Sequence, residues 1–219
     1  SPNINKAIQY YTIAADRNHM KSQYIVGCFY YNNKEINKRD IDKAIHYFTL
    51  AAKQNFAYAQ LNLGNIYYQG IYTQRDIYKS IYYLELAAKN KCPISQCLLG
   101  YIYFKGEYIK KNMEKAYYYF SLAAKHDHPK ALFYLGLIYY DGSFVKKDIN
   151  KAINYFEMAA KQNDTDSFNM LAVIYFPTDK KKSFHYVLLA SDRNDPYAQF
   201  LVGICYLNGT IIEKNIKKP

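Results

Sequence analysis

Small, apolar and aromatic positions fall along this chain at helical spacing, and the pattern itself repeats. Ala-Ala pairs stand at Ala14-Ala15, Ala51-Ala52, Ala87-Ala88, Ala123-Ala124 and Ala159-Ala160, followed by Ala190-Ser191; the gaps are 37, 36, 36, 36 and 31 residues. Aligned on this period, one column reads Gly27, Gly64, Gly100, Gly136, Ala172, Gly203. Five residues earlier stands Ser22, Ala59, Ser95, Ala131, Ser167 or Ala198, and three residues later a tyrosine: Tyr30, Tyr67, Tyr103, Tyr139, Tyr175, Tyr206. Spacings of three to five place these residues on one face of a helix, here helix A. A second helix, B, carries a Lys followed by a small residue, then Tyr10, Tyr47, Tyr83, Tyr119, Tyr155 or Tyr186, and ends on the Ala-Ala pair. A fixed period of this size means stacked units, each burying a face against its neighbour.

The polar positions mark where helices begin and end. Three residues before each Lys stands Asn3, Asp40, Asp76, Asn112, Asp148, Asp179 or Asn215, all residue types whose short side-chain oxygen caps a helix N-terminus. Three residues after the Ala-Ala or Ala-Ser pair come Asn18, Asn55, Lys91, Asp127, Asn163 and Asn194, where a left-handed residue closes helix B. Pro93, Pro129 and Pro196 follow two residues later, at first helical positions. Gly70, Gly106, Gly142 and Gly209, with Asn33 in the first full repeat, read as turn residues ending helix A. The interval from the Gly column to the Lys is 16, 15, 15, 15, 10 and 15, so only the loop from A to B changes length. The short one, before Lys182, contains Pro177 and predicts a tight turn with a local change of curvature.

These columns resemble the Sel1-like repeat, a relative of the tetratricopeptide repeat with a longer A-to-B loop. Repeat two carries the family pattern as Ala59, Leu63-Gly64, Tyr67, Gly70, Asp76, Lys79-Ser80, Tyr82-Tyr83 and Ala87-Ala88; repeat four carries it as Ala131, Leu135-Gly136, Tyr139, Gly142, Val145, Asp148, Lys151-Ala152, Tyr155 and Ala159-Ala160. Tyr stands where the family has Trp, and Asn often replaces the terminal Gly. The resemblance implies an all-α fold, a right-handed α/α superhelical solenoid of about 12 antiparallel helices. Its units run 1–19 (half repeat), 20–55, 56–91, 92–127, 128–163, 164–194 (short loop) and 195–219 (half repeat), one array over 1–219 that reads as a segment of a longer one.

The resemblance also implies that helix A lines a concave face and that the protein is a scaffold or adaptor for a protein partner. The residues then expected in the groove are Tyr24, Cys28, Tyr31, Leu61, Asn65, Tyr68, Gln69, Tyr101, Phe104, Lys105, Phe133, Leu137, Tyr140, Asp141, Asn169 and Val173. An apolar, aromatic strip of this kind suits an extended or helical peptide. Some relatives clamp a terminal carboxylate with Lys and Asn; Asn65 fits that role, but Leu61 stands where the Lys would be.

Composition changes this picture little. The net charge is +11, and no apolar run approaches a membrane span. The N-terminus shows neither the basic flank nor the apolar block of a signal peptide. Four cysteines build no disulfide framework at this length and favour a reducing compartment, such as the cytoplasm. Lys38, Arg39, Arg75, Lys110, Lys111, Lys146, Lys147, Lys180 to Lys182 and Lys214 are expected in the A-to-B loops, where stacking would align them as a basic edge. Such an edge serves solubility, or binds nucleic acid, an anionic membrane surface or an acidic tail, the weaker expectation beside a protein partner. His126-Asp127-His128 with Cys92 is too dispersed for a zinc site, and phosphate-loop, nucleophile-elbow and metalloprotease motifs are missing. The sequence therefore points away from an enzyme and implies neither cofactor nor metal.

Overall fold

The computed structural model describes residues 3–32, 38–71 and 73–208, apart from the side chains of Lys38, Arg39 and Asn208. The described residues form twelve helices and no strand, an all-α repeat solenoid. Helix A is represented by α2 (Met20–Tyr31), α4 (Ala57–Gln69), α6 (Pro93–Lys105), α8 (Pro129–Asp141), α10 (Thr165–Tyr175) and α12 (Pro196–Asn208). Helix B is α1 (Ile4–Asp16), α3 (Lys38–Lys53), α5 (Ile77–Lys89), α7 (Met113–Ala124), α9 (Ile149–Ala160) and α11 (Lys180–Ser191). The chain divides into two compact units, Ser1–Leu122 and Ala123–Pro219.

The Ala-Ala pair terminates helix B. In all six turns the carbonyl of the second residue accepts from the N–H of the left-handed residue: Asn18, Asn55, Lys91, Asp127, Asn163 and Asn194 have φ between 53° and 66°. The carbonyl of the first accepts from the residue after it. These paired bonds satisfy carbonyls that the helix end would otherwise orphan. Gln23, Gln60 and Gln96 then reach back from helix A, each donating through Nε2 to the second alanine's carbonyl at 3.2 Å. The residue before the left-handed position links neighbouring turns: Gln54 donates to Asn18, Asn90 to Asn55, Gln162 to the Asp127 carbonyl, and Arg193 to Asn163.

The Gly column is where helix B comes closest to helix A. A Cβ on Gly27, Gly100 or Gly136 would stand 2.6 Å from the ring of Phe48, Phe120 or Phe156, and one on Gly64 would stand 2.6 Å from Leu84. These four partners are fully buried. In the first unit Ile41, Ala44, Phe48, Ala51, Ala52, Ala59, Leu63 and Ile66 form a continuous core across α3 and α4.

Beside this contact runs a stack of aromatic pairs. The helix-A tyrosine lies nearly parallel to the helix-B tyrosine in Tyr30–Tyr47, Tyr67–Tyr83, Tyr103–Tyr119, Tyr139–Tyr155 and Tyr175–Tyr186, with centroids 5.7–6.3 Å apart. The repeat lysine then lies over the helix-A ring: Lys43, Lys79, Lys115, Lys151 and Lys182 place Nζ 4.0–5.3 Å from the centroid. The last three also donate to the tyrosine hydroxyl. The Lys of the Lys-Ala motif thus acts as a cation on an aromatic face.

Five of the seven expected helix-B caps are in place. Asn3, Asp76, Asn112, Asp148 and Asp179 each accept from the backbone N–H of the lysine three residues on, at 2.9 Å. Asp40 corrects the expectation: α3 begins at Lys38, so Asp40 stands in its first turn, where the helix dipole still favours a carboxylate. The interval before Lys43 is one residue longer than the usual 15, which gives the helix room to start early. Asn33, Gly209, Lys214 and Asn215 lie outside the described residues. Gly70, Gly106 and Gly142 end helix A with φ of 62°, 64° and 76°. The long loops that follow are fastened by Asp76, Asn112 and Asp148, whose N–H groups bond the Tyr67, Tyr103 and Tyr139 carbonyls at 3.0 Å. In the loop shortened by five residues, Asp179 makes the same bond to Tyr175 at 2.7 Å.

Two outcomes follow from the helix contact and the tyrosine stack. Gly100→Ala should destabilise the chain by about 1–3 kcal/mol in urea denaturation, because overpacking against Phe120 outweighs alanine's helix preference. Burial raises the pKa of Tyr47, Tyr83, Tyr119, Tyr155 and Tyr186 above the ordinary value. A raised folded-state pKa contributes stability that is complete below the unfolded value of about 10 and lost as pH climbs through the folded one. Thermal unfolding should accordingly be insensitive to these groups at neutral pH and fall steeply above about pH 10, with Tyr119→Phe softening the decline.

Candidate functional site

In the first unit the outward part of helix A is aromatic and incompletely covered. Tyr24 meets Phe56, Phe48 and Tyr58 with centroids 4.9, 5.9 and 6.4 Å away. Burial, with the neighbouring Cys28, pushes its hydroxyl pKa up to about 12, so it stays a neutral hydrogen-bonding group at physiological pH. Burial also raises the Cys28 thiol. Cys28 accepts from Asn62 at 3.9 Å, and Tyr31 donates to Gln69 at 3.4 Å. Asn65, Tyr68, Tyr101 and Phe104 are half-buried, and Gln69 and Lys105 are exposed. Leu61, expected on an open face, is 6% exposed and belongs to the core. The helix packing that surrounds it decides this, and residue type alone does not reveal it.

The loop cations sit on the same surface as these rings. Arg75 lies 4.4 Å over the Tyr108 ring, which itself meets Tyr68 edge-on at 6.5 Å. Its guanidinium donates to the carbonyls of Tyr68 and Gln69 at 3.0 and 3.3 Å. Lys111 lies 5.4 Å over Phe104, and Lys105 lies 5.8 Å over Tyr101. A Cβ on Gly70 or Gly106 would stand 2.6 Å from the Cβ of Arg75 or Lys111, so each loop folds tightly back on the end of helix A. Tyr68 has its hydroxyl pKa raised by burial first and then by Tyr101, Glu107 and Tyr108 nearby. Tyr108 escaped the sequence reading because it belongs to a loop rather than to a helix column. One signal was available: Tyr68 to Arg75, Phe104 to Lys111 and Tyr140 to Lys147 are all seven residues apart.

The second unit repeats the arrangement. Lys147 lies 5.4 Å over Tyr140, and Phe133 packs on Phe156 at 5.8 Å. Leu137 and Asn169 are half-buried and Asp141 is exposed. Asn169 donates to Asp195 at 3.4 Å. Val173 is exposed and helps line an apolar cleft of about 320 Å³ with Phe176, Lys180, Phe184, Tyr197 and Leu201. Lys130 lies 5.5 Å over Phe133 and bridges Asp164 at 2.5 Å and Asp166 at 2.6 Å.

The basic edge is shorter than expected. Arg75, Lys110, Lys111, Lys146 and Lys147 occupy the loops, with Lys110 and Lys146 exposed. Lys180 and Lys181 instead form the first turn of α11, directly after its Asp179 cap, as Ile149 and Asn150 follow Asp148 in α9. Lys38 and Arg39 likewise begin α3 rather than the loop, and their side chains lie outside the described residues. Among the described residues no disulfide joins Cys28, Cys92, Cys97 or Cys205. Among the described residues no group of three His, Cys, Asp or Glu side chains is arranged to hold a metal, and no helix is long and apolar enough to cross a membrane. The arrangement offers aromatic faces, amide hydrogen bonds and cations held beside rings, the chemistry of binding.

The Lys130 cluster has a measurable role. The Asp164 side chain is 3% exposed and caps α10 through Ser167. Lys130→Ala leaves that carboxylate without its cation and should cost about 1–3 kcal/mol, discounted for the half-exposed lysine and the surviving cap bonds. In a double-mutant cycle, Lys130→Ala should cost less in the Asp164→Ser background than in the wild type.

The Sel1 repeat model matches residues 1–19, 21–56, 57–92, 93–128, 129–164, 174–195 and 196–218. Its boundaries fall within one or two residues of the sequence-derived units except in the short repeat, where the match begins at 174. No curated protein matches the chain significantly. Among solved structures, a protective antigen of uropathogenic Escherichia coli displaying an SLR fold superposes with a TM-score of 0.86 at 23% identity, over 97% of this chain and 46% of that one. This chain therefore spans about half the length of that protein. A Sel1 repeat protein from Oxalobacter formigenes gives 0.77 at 27% identity, over 88% of this chain and 80% of that one. An immunity protein from Pseudomonas aeruginosa gives 0.54 at 19% identity, over 83% and 67%. Sel1 repeat proteins generally mediate protein–protein interactions. With seven matched repeats distributed over nearly its whole length, the chain belongs to the Sel1 repeat family.

Proposed function

We propose that this chain is a non-enzymatic scaffold that holds a peptide segment of a partner protein along the helix-A strip. The observation that carries the reading is the contrast within helix A. The Gly column is buried against helix B wherever a following B helix packs on it. The residues one and four positions beyond it stay half-buried or exposed and change from repeat to repeat: Cys28, Asn65, Tyr101, Leu137, Val173, and Tyr31, Tyr68, Phe104, Tyr140, Phe176. Residues that differ between units while the stack stays the same are the ones free to specify a partner. Aromatic side chains supply contact area at low entropic cost, and partly covered hydroxyls and amides supply direction.

The cations support the same site. Arg75, Lys105 and Lys111 border the rings of Tyr108, Tyr101 and Phe104, so the strip favours a segment that pairs apolar anchors with carboxylates.

The Tyr101→Ala, Phe133→Ala double variant, verified as folded by circular dichroism, should weaken capture of cross-linked partners from the native cell by at least tenfold, consistent with loss of central aromatic contacts. Binding by the wild type should persist in about 0.5 M salt, whereas attraction through charge alone would fall steeply. Full retention of every partner by the double variant would refute the strip as the binding site.

A further inference from the structure

We propose that the cleft at the short rung is an anchor pocket for one bulky apolar side chain of an acidic partner peptide, with Lys180 pairing a carboxylate next to that side chain. The inference deepens the peptide-strip reading and rests on it. The cleft, about 320 Å³, is walled by Val173 and the cap residue Phe176 of α10, Phe184 and Val187 of α11, and Leu201 and Cys205 of α12. Lys180 is the one charged residue among the described residues of its lining. Every wall is a described residue of the second unit, and Gly203 is not among them.

Two departures from the repeat open this space. The residue after the helix-B cap is Ile41, Ile77, Met113 or Ile149 in the rungs with long loops, and Lys180 here. Ile41 and Ile77 are buried, whereas Lys180 is exposed. Two residues beyond the Gly column stand Ile66, Ile102, Ile138 and Ile174, and then Cys205. Ile41 and Ile66 share one buried core. At the short rung the same two columns supply a lysine and a small thiol, so apolar volume is missing between α11 and α12 while the aromatic and aliphatic walls remain.

The occupant follows from the lining. Apolar walls favour an apolar group, and the volume lies at the small end of the roughly 300–1,000 Å³ that ligand clefts span, room for one large side chain. An ammonium at the mouth rewards a carboxylate held beside that group, and among the described residues no carboxylate pairs with Lys180. Val173 and Phe176 also belong to the helix-A strip, so a peptide lying on the strip reaches the cleft directly.

Methyl NMR on the full chain tests the pocket, with the blocked tripeptide acetyl-Glu-Phe-Glu-amide as probe. This peptide should shift the methyls of Val173, Val187 and Leu201. It should bind about threefold tighter than acetyl-Gln-Phe-Gln-amide and about tenfold tighter than acetyl-Glu-Ala-Glu-amide. Lys180→Gln should abolish the preference for Glu over Gln. Cys205→Ile, which restores the residue of its column, should fill the cleft and remove the shifts; Leu201→Phe serves in its place should that variant lose its helical circular dichroism. Equal affinities for the three tripeptides, or shifts that spare the cleft methyls, overturn the proposal. Tighter binding of decanoate than of the tripeptide overturns it in favour of an acyl ligand. Nuclear Overhauser contacts from Ile211 or Ile212 into the cleft overturn it in favour of the chain's own residues. None of these failures touches the strip itself, which stands or falls on the Tyr101→Ala, Phe133→Ala double variant.

Discussion

The approach of helix B to the helix-A glycine column sets the rest of the structure. Without a side chain at Gly27, Gly64, Gly100 and Gly136, the partners Phe48, Leu84, Phe120 and Phe156 come to a distance that no Cβ would permit. That closeness brings the paired tyrosines into parallel stacks and holds the repeat lysines over their rings. The glycines carry the usual entropic cost of glycine in a helix, about 0.5–1 kcal/mol each, and the buried contact they admit offsets it.

Much of this was legible because it depends on residues near one another in sequence. The caps at Asn3, Asp76, Asn112, Asp148 and Asp179 need only a short side chain at a helix start, and the six left-handed turns, five on Asn or Asp and one on Lys91, recur at a set distance from the end of helix B. Asp40 departs because one extra loop residue lets α3 begin at Lys38. Lys180 and Lys181 depart because they follow the Asp179 cap and so stand in the first turn of α11.

The candidate site was legible only in part. Column positions identified Tyr68, Tyr101 and Phe104, but not that Arg75 would join Tyr68 through Tyr108. That arrangement depends on how a seven-residue loop folds back, which hydrophobic periodicity does not encode. Leu61 fails for the opposite reason: its column is correct, but its neighbours close over it. Within each unit the loop cations lie against helix-A rings, Arg75 and Lys111 in the first and Lys147 in the second, so the aromatic and the basic positions are neighbours there.

The bond from Asp179 to the Tyr175 carbonyl survives the loss of five residues from its loop, with the donor and acceptor of the long loops unchanged. Loop length and helix register are thereby uncoupled in this chain. At this rung the stack keeps its fastening bond with a loop of four residues where three other rungs have seven. The segment whose length is free to drift is also the one that supplies the cations bordering the aromatic strip.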